Sequence, residues 1–174
     1  MRPRYSLARR KAAELIERAG IQKPPVPVER LAELAGALVR YEPFEGTMSG
    51  LLYRSNERAV IGVNSIHPEV RQRFTIAHEL AHLLLHQPTF QIDEHAFVAF
   101  RNPESSKATD PAEVEANQFA AALLMPEGLL AKSVRDLGEN PDAERAILEL
   151  SKRFLVSQEA MTIRLTRLDW LTQL

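Results

Sequence analysis

His78, Glu79 and His82 stand in the pattern His-Glu-x-x-His within VRQRFTIAHELAHLLLH, residues 70–86. On a helix, side chains four residues apart project from one face, so His78 and His82 can grip a single ion. Glu79, one residue on, is rotated by roughly a quarter turn. It reaches beside the ion without ligating it, where a general base must sit to take a proton from an activated water. That chemistry is metal-dependent hydrolysis. Val70, Phe74, Ala77, Ala81 and Leu85 form an apolar stripe, and both histidines lie on or beside it. Inward-facing imidazoles need hydrogen-bond partners or a metal, which argues against two incidental histidines.

A catalytic zinc takes three protein ligands and leaves one position open. The chain has no cysteine, so the third ligand must be His, Asp or Glu. A histidine six residues after His82 would mark another class of His-Glu-x-x-His protein, but Pro88 occupies that position. His86 is too far along the axis to share the ion comfortably with both others. It reads as a helix-end residue that complements the dipole.

The segment EVEANQFAAALLMP (113–126) offers better donors. Asp110 suits an N-cap, Pro111 the first helical position, and Glu113 the capping-box partner. Glu113 thus has a structural task already. Glu115 falls on the helical wheel among Ala112, Ala116, Phe119, Ala122 and Leu123. A carboxylate inside such a stripe needs a cation; the plainer reading is an edge residue reaching water. The expected ligands are therefore His78, His82 and Glu115, with Glu79 as the catalytic base. One Zn²⁺ per chain is expected, although Mn²⁺ or another divalent ion suits the same donors. Tyr53, Tyr41 and His95 are each candidates to stabilise the oxyanion.

Elements must position these residues. Apolar periodicity predicts helices over 6–19, 28–37, from about 69 to 86, 111–125, 143–153 and 158–169. Short runs rich in Leu, Val, Ile and Tyr predict strands at 38–41, 50–54 and 59–64, with a further short strand at 96–100. SNER (55–58) reads as a hairpin turn, and QKPPVPV (22–28) as an extended connector. The strand Ala59, Val60, Ile61, Gly62, Val63, Asn64 is read either as an edge that pairs with an extended substrate or as a plain core strand.

The fold class expected is α+β: a minimal zincin-like core with a small antiparallel sheet on the metal helix, a second ligand-bearing helix and a helical tail. Three segments are drawn: a basic helix (1–23), the peptidase core (24–133) and a helical hairpin (134–174). Charge argues for no particular partner, since 22 basic residues face 23 acidic ones. Residues 1–23 carry seven Lys or Arg, but charges interrupt every apolar run, so an export signal is not expected. No stretch reaches membrane-spanning length, and a cytoplasmic protein is expected. The tail has helix-turn-helix proportions, with Ser157 as cap of its second helix. Residues 143–174 hold five basic residues against four acidic ones, few for a DNA reader, so direct nucleic-acid binding is not expected. A DNA-binding or partner-binding regulator that keeps a metal site with little turnover is the alternative function.

The segments RQRFTIAHELAHLLLH (71–86) and EVEANQFAAALLMP (113–126) resemble the ImmA/IrrE family of bacterial zinc metallopeptidases. IGVN (61–64) and FLVSQEAMTIRL (154–165) are similar as well, and the likeness covers most of residues 25–170. The resemblance implies a thermolysin-like, gluzincin site whose third ligand is a Glu of the second motif, carried over to Glu115. It also implies a protein substrate: an XRE-type helix-turn-helix repressor or antitoxin-like regulator, whose cleavage relieves repression. Ala81 stands where Gly is common, a change that costs a helix nothing. Some relatives carry an additional sensor domain; 174 residues leave little room for one, so control is expected through the partner or metal supply.

Overall fold

A computed structural model describes residues 2–55, 58–86, 97–100, 110–138 and 142–171. The helices are α1 (Tyr5–Arg18), α2 (Val28–Leu34), α3 (Glu69–Leu85), α4 (Pro111–Leu124), α5 (Glu127–Arg135), α6 (Ala143–Phe154) and α7 (Gln158–Arg167). The strands are β1 (Ala37–Glu42), β2 (Gly50–Arg54), β3 (Ala59–Asn64) and β4 (Phe97–Phe100). The α+β class and the helical tail are as expected. Helix α5 was not anticipated, although its signals are ordinary: Pro126 before it, Glu127 in its first turn, Lys132 and Arg135 in its last.

The sheet order is β1-β3-β2-β4. β2 pairs antiparallel with β3 and β4, but β1 pairs parallel with β3, from Ala37 opposite Ala59 to Glu42 opposite Asn64. The sheet is therefore mixed, not antiparallel. This also corrects the reading of Ala59–Asn64 as an edge. β3 is hydrogen-bonded on both sides, so its backbone cannot take up a further strand. Its burial agrees, with Ile61 and Val63 fully enclosed.

Helix α3 lies across β2 and β3 and packs against α4. Gly50 permits that approach, because a Cβ there would run into the Thr75 methyl and the Gly62 carbonyl. The deepest face of α3 is Ile76, Ala77, Leu80 and Ala81, all fully buried. Val70, Phe74, His78 and His82 form the neighbouring row, less enclosed along its length. Arg54 pins the end of β2 to this helix by donating to the carbonyls of His82 (3.3 Å) and Leu83 (2.8 Å). Both carbonyls belong to the last turn of α3, and that of His82 also accepts from the His86 amide.

Helix α4 packs against α3 on one side and α1 on the other. Eight of its residues are buried, from Glu115 to Leu124. Asp110 caps it by accepting from the Ala112 amide at 2.9 Å. Residues of all three expected segments, including Ala8, Ala12, Leu123, Phe154 and Leu165, join one buried cluster. The tail is tied to the body by its own cations. Arg164, 4% exposed, donates to the Met125 carbonyl, and Arg167 to Gln118. Ser157 caps α7 through the Ala160 amide. A guanidinium spent on a buried carbonyl is not available to a phosphate. Among the described residues no helix is long and apolar enough to cross a membrane.

Candidate metal centre

His78 and His82 lie one turn apart on α3 with Nε2 atoms 3.3 Å from each other. The carboxylate that meets them belongs to Glu113. Its Oε2 is 3.3 Å from His78 Nε2 and its Oε1 3.7 Å from His82 Nε2. These three residues offer ligand atoms that all lie within 4.8 Å of one another. Donors at about 2.0–2.1 Å around a tetrahedral ion stand roughly 3.3 Å apart, so the spacing suits a zinc-sized ion. Neutral imidazoles and a carboxylate are also the donor set that binds such an ion.

Glu115 is elsewhere, which corrects the expected ligand set. It is buried as its place on the apolar stripe implied, 3% exposed. Its cation is Arg4, however. The Arg4 backbone amide donates to Oε1 at 2.7 Å, and the guanidinium donates to Oε1 at 3.0 Å and Oε2 at 2.8 Å. This pairing holds the Glu115 carboxyl well below the usual range, at about 2, against the opposing effect of burial. A single apolar stripe implies one buried face. α4 has two: Glu115 and Phe119 belong to its continuous apolar stripe, while Glu113 and Asn117 turn to the histidines of α3. The signal available was Glu113-x-x-x-Asn117, a polar pair at the same four-residue spacing as His78 and His82.

Asn117 completes that match. Its Oδ1 lies 2.9 Å from His78 Nδ1, so the imidazole donates through Nδ1 and carries its lone pair on Nε2, the tautomer a ligand would need. Glu79 is 2% exposed on the same helix, one residue past His78. His86 does cap α3, but its ring also reaches His82 Nδ1 (3.0 Å) and Glu115 Oε2 (3.1 Å). Among the oxyanion candidates, Tyr41 lies on β1 and donates to Glu29 at 2.7 Å. Burial, and the bond to Glu29, push its hydroxyl pKa upward. Tyr53 lies on β2, and His95 falls outside the described residues. Ala59 through Asn64 supply no open edge; the Asn64 side chain instead donates to the carbonyls of Phe44 and Met48.

Beside His78 lies an apolar cavity of about 260 Å³, lined by Val70, Phe74, Leu124, Met125, Val156 and Ala160 among others. Phe74 joins it to the histidines, with ring centroids of Phe74 and His78 6.1 Å apart.

Comparison with known proteins bears on the same residues. The profile of the IrrE N-terminal-like domain matches residues 32–166. The radiation response metalloprotease IrrE of Deinococcus radiodurans is 36% identical over 111 residues, 63% of this chain. The matched part is 31% of that protein, so the chain corresponds to about a third of its relative's length. With most of its length matched by that profile and its paired His, His and Glu donors facing one another across α3 and α4, this chain belongs to the IrrE N-terminal-like family of metallopeptidases.

Proposed function

We propose that the chain is a zinc-dependent endopeptidase with His78, His82 and Glu113 as ligands and Glu79 as general base. Its proposed substrate is a helix-turn-helix repressor or an antitoxin-like partner. The observation that carries the reading is the convergence of the two Nε2 atoms and the Glu113 carboxylate at separations of 3.3–3.7 Å. An ion bound there supplies a Lewis acid that lowers the pKa of water towards about 7 and polarises the scissile carbonyl. Glu79 takes the proton of the attacking water and returns it to the leaving amine. Asn117 orients His78.

Two further features suit a peptide substrate. The cavity beside Phe74 would receive an apolar side chain next to the cleaved bond. An extended backbone would pair with β4, an outer strand among the described residues, whose Phe97 stands opposite Arg54 on the strand pinned to α3. The repressor as substrate rests on the likeness of residues 71–86 and 113–126 to the ImmA/IrrE family. Such a substrate would place the protein in the cytoplasm.

Elemental analysis of the wild type, His78→Ala and Glu113→Ala tests the centre. About one zinc per chain is expected in the wild type, lost in both variants. Metal retained in Glu113→Ala would move the third ligand. For the substrate, the zinc-loaded protein is incubated with a purified XRE-type repressor and the products are read by mass spectrometry. Cleavage at one bond, absent in Glu79→Gln, is the expected result; an intact repressor would refute this substrate.

A further inference from the structure

His82 is connected to a line of side chains that leads away from the ligand cluster. Its Nδ1 lies 3.0 Å from His86 Nδ1, and His86 Nε2 lies 3.1 Å from Glu115 Oε2. Glu115 is clamped by Arg4, which makes four contacts of 2.7–3.2 Å to it and donates at 3.3 Å to the Leu85 carbonyl. The side chains of His86 and Glu115 are 19% and 5% exposed, so water competes little for the bond between them, whereas Arg4 reaches Glu115 from the surface, its side chain 43% exposed.

The chemistry of the groups gives the line a direction. Glu115 faces only donors at Arg4 and can only accept, so His86 Nε2 carries a hydrogen and donates to it. A neutral His86 then has a lone pair on Nδ1. His82 must donate to it from its own Nδ1, which leaves His82 Nε2 with the lone pair that points at His78 and Glu113. That is the tautomer an ion requires.

We propose that His86, Glu115 and Arg4 form a positioning chain that fixes the ring orientation and tautomer of His82, as Asn117 does for His78. The inference rests on the metal-centre reading above. It gives Glu115 a role in the site without ligation, and gives the segment before α1 a part in building a centre more than 70 residues away. Arg4 is a positioning residue, acting on His82 through two others.

The test is zinc affinity of the full chain, measured by competition with a chromogenic chelator, for the wild type, His78→Ala, His86→Phe and Glu115→Gln. His78→Ala should lose the site. His86→Phe and Glu115→Gln should each weaken zinc by about 10- to 100-fold while remaining folded. Affinities within about threefold of wild type in both would overturn the chain. Should His86→Phe not fold, Glu115→Gln decides alone, since it keeps the shape of the side chain. Long-range ¹H–¹⁵N spectra of the zinc-loaded wild type give an independent readout. Hydrogen on His82 Nδ1 and His86 Nε2 is expected; hydrogen on His86 Nδ1 would refute the proposal. Absence of zinc from the wild type, or unchanged binding in His78→Ala, would instead refute the metal centre, so the two failures are distinct.

Discussion

Glu79 and Glu113 are both carboxylates on the two helices that build the cluster, yet they are assigned opposite tasks. The difference lies in where each backbone position aims. Glu113 comes from α4 and faces both Nε2 atoms, whereas Glu79 shares a helix with the histidines and stands a quarter turn from them. Glu79→Gln should therefore retain the metal and lose cleavage by about 10²–10⁴-fold. Elemental analysis beside a cleavage assay checks this, and loss of metal from that variant would make Glu79 a ligand. Asn117 acts on His78 alone. Asn117→Ala should weaken zinc by about 10- to 100-fold, read by chelator competition. Unchanged affinity would mean that the 2.9 Å contact does not orient the ring.

Elements set the distances at which these residues act. The approach of α3 to the sheet depends on the bare backbone of Gly50, since the Thr75 methyl fills the place of a side chain. Gly50→Ala should cost about 1–3 kcal/mol, the usual penalty for overpacking, seen as a lower thermal midpoint. Adding Thr75→Ser, which removes that methyl, should recover part of the loss; no recovery would place the strain at the Gly62 carbonyl. The cavity between α3, α4 and α7 belongs to the same scale. Ala160→Trp should fill it and lower kcat/KM for a protein substrate with zinc content unchanged. Equal cleavage by that variant would remove the cavity from substrate binding.

The whole molecule is joined by buried arginines. Arg73, 6% exposed, donates to the carbonyls of Val26 in the proline-rich connector (2.7 Å) and Leu155 in the turn between α6 and α7 (3.3 Å). Burial lowers its pKa, a cost the structure accepts in order to link three separate parts of the chain. Arg73→Met leaves two carbonyls unmet and should lower stability by about 1–3 kcal/mol, measured by urea denaturation. An unchanged midpoint would show that water replaces the guanidinium. Arg164, also buried, acts similarly at the end of α4, and Arg4 ties the segment before α1 to Glu115 from the surface.

Local pattern carried much of this protein. The four-residue spacing of His78 and His82 and the adjacent Glu79 were legible because a helix converts spacing into direction. The caps at Asp110 and Ser157 were legible because they depend on residues two or three apart. Helix α5 is legible only in part, because Pro126 reads equally well as a stop or a start. What lay outside the sequence was every choice between partners distant along the chain. β3 became a central strand because β1 paired with it in parallel, a register no local signal encodes. Glu115 needed a cation, which the sequence did require, but the cation came from Arg4, 111 residues away. Glu113 became the carboxylate of the cluster because α4 lies between two helices and therefore has two inward faces. Periodicity determines which residues are buried; only the packing of whole elements decides which buried residues meet.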